Sequence, residues 1–309
     1  MRSNYIWMNG ELVPFEHATV HFLTPTLHYG TGVFEGIRCY ETGKGSAIFR
    51  LREHMKRFLN SAQIAGIQDV PYTLKELENA VHMTIRANGF AECYIRPLIY
   101  MVGPLGLNLD AWEPAVGIAV WEWENFLGRE AMENGVTAMV SSFTRHHPNV
   151  MMTKAKIVGN YVNSTLAKTL ASRAGFDEAI MLDPQGYVAE CSGENLFLVR
   201  DGTIYTPPQT TVLEGITRDA LITLAGDLGI KVVEDMISRD QLYIADEVFV
   251  CGTAAEVVPV REIDFRKIGS KPKGKITDQL QRAFFKTVCG DGPRSREWLD
   301  FVDETVYAV

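Results

Sequence analysis

The sequence predicts an α+β fold in two parts, and three observations carry that prediction. Helix-period and strand-period segments are interleaved without the even strand-helix spacing of a parallel dinucleotide-binding sheet. The stretch "ENFLGREAMENG", residues 124–135, follows two strands and precedes a third, so it reads as a crossover between parts. At 309 residues, 46% of them hydrophobic, the chain is long enough to build a core in each part.

The elements follow in chain order. The N-terminal "MRSNYIWMNGELV" reads as a hairpin turning at Asn9-Gly10, because that dipeptide accepts the positive φ of a two-residue turn. A strand is expected around Val33 to Tyr40 and a helix from about Leu51 to Ala65. A second helix runs from Thr73 to Asn88. Thr73 and Glu76 make a capping box, Leu74, Leu77, Val81 and Ile85 recur on one face, and Asn88-Gly89 stops it. Strands follow at "CYIRPLIYM" and "AVGIAVWEW", and after the crossover at "VTAMVSSF". The second part opens with a helix after Asn160, then short strands around the turns "DPQG" and "RDGT". A further helix begins near Thr217 and stops at Gly229. The β-branched runs "DEVFV" and "EVVPV" flank the small-residue connection "CGTAA", and the helix "TDQLQRAFFKTV" closes the fold.

Charge and cysteine usage exclude several classes. A net charge of -8 with no basic block argues against a nucleic-acid partner, and no apolar run is long enough to span a bilayer. The N-terminus lacks the apolar region of a signal peptide, so a cytoplasmic protein is expected. Five cysteines without a C-x-x-C pair suit free thiols in a reducing compartment, with neither a disulfide frame nor a metal site.

The chemistry centres on "TKAKIVGNY", which sets Lys154 and Lys156 beside apolar residues ahead of a helix. Most lysines keep their ammonium in water, but one in a partly apolar pocket loses charge stabilisation and becomes an amine able to form a Schiff base with an aldehyde. Three features suit a phosphate. "LEGITRDAL" places Gly215 before a helix whose first turn holds Ile216 and Thr217, so backbone N–H groups face an anion. "VCGTAAE" adds the Thr253 hydroxyl, and "EHMKRFLN" adds the Arg57 fork. "AECSGENLF" carries Glu190 and Glu194; one suits the solvated surface, the other a positive partner such as a pyridinium nitrogen. A lysine for an aldehyde, a carboxylate for a ring nitrogen and a helix start for a phosphate together describe pyridoxal 5'-phosphate.

Seven segments in order, "HYGTGVFEGIRCY", "EHMKRF", "CYIRPLIY", "KIVGNY", "AECSGENLF", "LEGITRDAL" and "VCGTAAEVVPV", resemble the successive motifs of the branched-chain amino acid aminotransferases, which are fold-type IV enzymes. The resemblance runs from about Tyr5 to Phe285. It implies a smaller α/β domain over 1–123, a crossover over 124–134, and a larger cofactor-binding domain with a barrel-like core of mixed sheet over 135–309.

The resemblance also distributes roles. It implies that Lys156, three residues before G-N-Y, carries the Schiff base, that Tyr161 hydrogen-bonds the cofactor's phenolate oxygen, and that Glu190 meets the pyridine nitrogen with Asn195 in support. Glu194 is then structural. Arg57, the N–H groups of Ile216 and Thr217, and Thr253 fit the family's phosphate cup. Tyr94 and the N–H groups of Thr253 and Ala254 are implied for the substrate α-carboxylate. Tyr29, Phe34 and Trp123 line the side-chain pocket, and Arg96 at its rim accepts a second carboxylate.

The activity implied is amino-group exchange between Leu, Ile or Val and 2-oxoglutarate by a ping-pong route, in a homo-oligomer of at least two subunits with shared sites. Two departures stand out. Phe126 replaces a tyrosine, which removes a hydroxyl near the acidic substrate, and the loop "VGPLGLNLD", with Leu107 as its contact to the neighbouring subunit, has a different order of small residues. D-amino acid and (R)-amine transaminases and aminodeoxychorismate lyase share the fold and are the alternatives. The paired "YIRP" and "FEGIR" segments favour the branched-chain reading.

Overall fold

In the computed structural model, residues 3–123 and 128–302 are described. Contacts divide the chain into two compact units. One takes in Met1–Trp123, Ala155–Gly159 and Thr287–Val309, the other Glu124–Lys154 and Asn160–Lys286. The first unit is thus built from three separate segments of the chain.

The first unit begins with the hairpin β1 (Tyr5–Met8) and β2 (Glu11–Pro14), where Asn9 takes φ 48° and Gly10 φ 101°. A short helix α1 (Pro25–Tyr29) leads into β3 (Gly32–Phe34) and β4 (Ile37–Thr42), so the single strand expected over 33–40 is interrupted at Glu35-Gly36. Both residues of the break are buried, and both serve the site. After β5 (Gly45–Phe49) come α2 (Leu51–Ile64) and α3 (Leu74–Asn88), whose Thr73–Glu76 capping box is present. Leu51, Met55 and Phe58 on α2 and Leu77, Val81 and Ile85 on α3 are buried, while the polar faces look outward. β6 (Cys93–Val102) and β7 (Glu113–Trp121) form the long centre of the sheet. Every pairing in this sheet is antiparallel, so the first unit is itself α+β.

The second unit opens with α4 (Arg129–Asn134), β8 (Val136–Val140) and α5 (Tyr161–Arg173). It continues through β9 (Glu178–Leu182), β10 (Val188–Cys191), β11 (Asn195–Arg200), β12 (Thr203–Thr206), α6 (Ile216–Asp227), β13 (Val232–Glu234) and α7 (Arg239–Tyr243). The hairpin β14 (Glu247–Gly252) and β15 (Glu256–Ile263) turns at "TAA", and β16 (Arg266–Lys267) borders it. The strand order is β10-β9-β8-β15-β14-β11-β12-β13, with parallel pairs at β8/β9, β8/β15 and β12/β13. This is the mixed sheet the sequence implied. Its apolar side gathers Val136, Ile180, Leu196, Val248, Val258 and Val260 into one core.

The helix α8 (Lys275–Val288) does not close the fold. It is followed by α9 (Ser295–Trp298) and β17 (Leu299–Phe301), which pairs antiparallel with β5 in the first sheet. These last elements are too short to show a period, which is why the sequence did not reveal them.

At the centre of the second sheet Phe197 and Phe249 lie opposite each other on β11 and β14, fully buried, their rings stacked 4.9 Å apart at 7°. Asn195 shares the face of Phe197 two residues earlier. Phe249→Ala is expected to destabilise the protein by about 3–5 kcal/mol in denaturant unfolding.

Candidate active site

The two lysines of "TKAKIVGNY" have different surroundings. In the second unit Lys154 directs Nζ at the carbonyls of Gln209 and Val212 and lies 3.3 Å from Glu214 Oε1, so its ammonium is held by acceptors. In the first unit the backbone of Lys156 is tied on both sides. Its N–H donates to Ser61 Oγ on α2 (3.0 Å), and its carbonyl accepts from the N–H of Phe34 (3.0 Å). Ile157 bridges Val33 in the same manner, and Gly159 N–H reaches the Gly30 carbonyl. The Lys156 Nζ lies 4.7 Å from the centroid of the Phe34 ring.

An aromatic wall surrounds that ring. Tyr94 and Arg96 alternate on β6, Trp121 lies opposite Tyr94 on β7, and Phe34 pairs with Leu98, so strand register puts these side chains on one face. The Arg96 guanidinium sits 4.9 Å from the Phe34 ring, 5.5 Å from Tyr94 and 5.8 Å from Trp121. Trp123 packs edge-on against Tyr94 at 4.5 Å. The hydroxyl of Tyr94 occupies the space that a Cβ on Gly36 would need, so glycine in the break between β3 and β4 is what admits it.

Behind Phe34, the carboxylate of Glu35 is wholly buried. It accepts from Arg57 Nε (2.6 Å) and Nη2 (2.9 Å) and pairs with His54 Nδ1 (2.8 Å). Burial pushes this carboxyl up, but the Arg57 charge and the His54 contacts outweigh it and hold Glu35 well below the usual carboxylate range. Burial likewise lowers His54, against the pull of Glu35. Arg57 is thus gripped along one edge of its fork, and its direction is set by Glu35.

The second unit holds another anchored carboxylate. Glu190 Oε1 lies 2.7 Å from Arg145 Nη2, while Oε2 accepts from Asn195 Nδ2 and the Leu213 N–H, both at 3.2 Å. Asn195 also donates to the Leu213 carbonyl (3.1 Å). Its Oδ1 lies where a Cβ on Gly215 would stand, so that glycine lets Asn195 pack against the start of α6. Gly215 caps α6 with no side-chain acceptor, and the buried Ile216 and Thr217 form the first turn. The carboxylate and the anion-attracting helix end are therefore locked together through Asn195. Thr253 and Ala254 are half-buried in the β14–β15 turn, and Tyr161 is half-buried as the first residue of α5.

The expectation that one of Glu190 and Glu194 is solvated is overturned: they are 6% and 4% exposed. Glu194 is raised to about 8, first by burial and then by the neighbouring charge of Glu178. Glu178 is itself paired with Lys168 (2.6 Å) and accepts from the Ser192 hydroxyl (2.6 Å).

The structure brings Phe34, Tyr94, Arg96 and Trp123 together with Lys156 in one unit, and Glu190, Asn195, Ile216 and Thr217 together in the other. Tyr29 stacks on Trp112, 5.7 Å away at 10°. Leu107 is 88% exposed on its loop, and Phe126 lies outside the described residues. Sequence reasoning missed Glu35, His54, Arg145 and Trp121. Of these only Glu35, an acidic residue inside the apolar run "GVFEGI", left a local signal.

With this geometry in place, comparison with known proteins identifies the class. Residues 32–263 match the family described as amino-transferase class IV, and the chain belongs to that family. Among its relatives, a branched-chain-amino-acid aminotransferase of Pseudomonas aeruginosa is 49% identical over 302 residues, covering 97% of this chain and 98% of that protein. One from Escherichia coli is 47% identical over 307 residues, covering 98% and 99%. The crystal structure of an E. coli branched-chain amino acid aminotransferase superposes with a TM-score of 0.94 at 47% identity, over 98% of this chain and all of that one. The branched-chain aminotransferase from the thermophilic archaeon Thermoproteus uzoniensis, solved with norvaline, gives 0.93 at 45% identity, with the same coverage. A further branched-chain amino acid aminotransferase, complexed with N-(5'-phosphopyridoxyl)-L-glutamate, gives 0.92 at 49% identity. The resemblance carried by the seven motifs is borne out.

Two consequences are measurable. Gly36→Ala forces the Tyr94 hydroxyl away, and kcat/KM is expected to fall about 100-fold, as a displacement near 1 Å can cause, while thermal unfolding changes little. The raised Glu194 ionises at 4.5 when unfolded and near 8 when folded. Its neutral form therefore contributes stability that is complete below the lower value and lost as pH rises through the upper one. Thermal unfolding of Glu194→Gln should show a flatter pH dependence across that window than the parent protein.

Proposed function

We propose that this chain is a pyridoxal 5'-phosphate-dependent transaminase that exchanges amino groups between branched-chain L-amino acids and 2-oxoglutarate. The observation that carries the reading is the pair of anchored elements in the second unit, Glu190 and the uncapped start of α6, joined by Asn195. A carboxylate held for a ring nitrogen and a helix end open to a phosphate fit this cofactor. The Lys156 amine on an aromatic face in the first unit fits its aldehyde.

When bound, pyridoxal 5'-phosphate supplies an aldehyde for the substrate's amino group and a ring that spreads the electron pair left at Cα. Lys156 would be the point of covalent attachment, and its amine, when free, would take up the proton from the substrate Cα. Glu190, oriented by Arg145, Asn195 and the Leu213 N–H, would hold a proton at the pyridine nitrogen. The N–H groups of Ile216 and Thr217, the Thr253 hydroxyl and Arg57, aimed by Glu35, bind the phosphate. Tyr161 donates to the phenolate oxygen.

Tyr94 and the N–H groups of Thr253 and Ala254 receive the substrate α-carboxylate. Phe34, Trp123 and Tyr29 exclude water around an aliphatic side chain, and Arg96 receives the second carboxylate of the acidic partner. The same residues serve both half-reactions, which gives ping-pong kinetics. Leu107 meets a neighbouring subunit in a homo-oligomer of at least two chains, consistent with its exposure here, and Phe126 weakens the grip on the acidic substrate. The protein works in the cytoplasm. No helix among the described residues is long and apolar enough to cross a membrane.

The test is the visible absorbance of the purified protein, read before and after L-leucine and then 2-oxoglutarate, beside Lys156→Ala and Lys154→Ala. The cofactor band should fall with leucine and return with 2-oxoglutarate in the parent protein and in Lys154→Ala, but fail to cycle in Lys156→Ala. A band that answers only to a D-amino acid, an (R)-amine or aminodeoxychorismate would refute the substrate assignment.

A further inference from the structure

Trp121 ends β7 directly opposite Tyr94, and its ring touches both Tyr94 (5.2 Å) and Trp123 (5.8 Å). The Arg96 guanidinium lies 5.8 Å from its ring centroid. Register pairs Arg96 with Ala119, so the smallest side chain with a Cβ leaves room beside the guanidinium on this face. Two donors of the cluster, Arg96 Nε and Trp121 Nε1, are buried with no hydrogen-bond partner among the described residues. Orphaned donors of this kind are expensive, and two of them in one cluster, one charged, call for an acceptor that is anionic and small. Three aromatic rings crowd the guanidinium and offer it no hydrogen-bond acceptor of their own in the plane of its N–H groups. The Lys156 amine borders the same ring, with Nζ and Arg96 Cζ at 4.7 and 4.9 Å from the Phe34 centroid.

We propose that Trp121 is a specificity residue for the acidic half-reaction: its indole N–H acts with Arg96 to receive the side-chain carboxylate of a five-carbon dicarboxylic substrate. The inference rests on the transaminase reading above. In this arrangement the methylene stem of glutamate or 2-oxoglutarate lies along Phe34, and its distal carboxylate satisfies both orphaned donors. A leucine side chain meets the same aromatic faces but offers no acceptor, so the indole N–H contributes nothing to it. Discrimination between the two partners of the exchange then comes from a donor pair that only one of them engages.

The test uses the holoenzyme and Trp121→Phe, which keeps the aromatic face and removes the N–H. The two half-reactions are followed separately by cofactor absorbance with L-glutamate and L-leucine. Dissociation constants are measured for two unreactive acids, glutarate and 4-methylvaleric acid, by intrinsic fluorescence. In the variant, the glutarate constant and the half-saturating L-glutamate concentration should rise about tenfold, equivalent to about 1.4 kcal/mol, with 4-methylvaleric acid and L-leucine unchanged. An equal loss for both acids means that Trp121 only packs the wall and overturns the proposal, as does no change for either. If the parent protein reacts with neither L-leucine nor L-glutamate, the transaminase reading falls and takes this inference with it. If it reacts with both and the variant's loss is not selective, only the inference falls.

Discussion

The peptide of Lys156 is clamped on both sides, by Ser61 on one helix and by the N–H of Phe34 at the end of a strand. A lysine side chain has four rotatable bonds, so the region its amine can reach is set by where its backbone is anchored. Attaching that peptide to the first sheet fixes the amine over Phe34 and thereby relates it to the wall built on β6 and β7. The break between β3 and β4 belongs to the same construction. It turns Phe34 toward the lysine, Glu35 toward Arg57 and the bare Gly36 toward the Tyr94 hydroxyl, three consecutive residues with three different tasks.

The second unit solves a different problem, that of keeping several carboxylates out of water. Isolated burial of a charge is prohibitive, so each must find a cation or give up its charge. Glu190 is held by Arg145 and amide donors, and Glu178 by Lys168 and Ser192. Glu194 lies between them and takes the other course, remaining protonated. Two glutamates four residues apart thus have opposite chemistry because their neighbours differ.

What the sequence disclosed follows from range. The capping box of α3, the Asn9-Gly10 turn and the helix start at Gly215 are written within a few residues, and the interactions that make them are equally local. Lys156 and Glu190 stood out in the sequence because their segments have unusual local composition and resemble a known family. Arg145, far along the chain from the carboxylate it holds, left no pattern, and neither did His54, whose role appears only when α2 packs against Glu35. The solvated position expected for one of the paired glutamates failed for a related reason: "AECSGENLF" contains small residues that look suited to a loop, and the sheet that buries them is assembled from distant strands.

The pairing of β17 with β5 joins a late strand to an early one, with the whole second unit lying between them in sequence. During synthesis β5 leaves the ribosome long before its partner exists, and the segment at Ala155–Gly159 arrives late as well. The first unit therefore waits with an unfinished sheet edge while the intervening unit gathers its own strands. Non-local closure of this kind raises contact order and slows folding, and a bare edge invites wrong partners in the interval. A strand made early is thus among the last to be flanked on both sides.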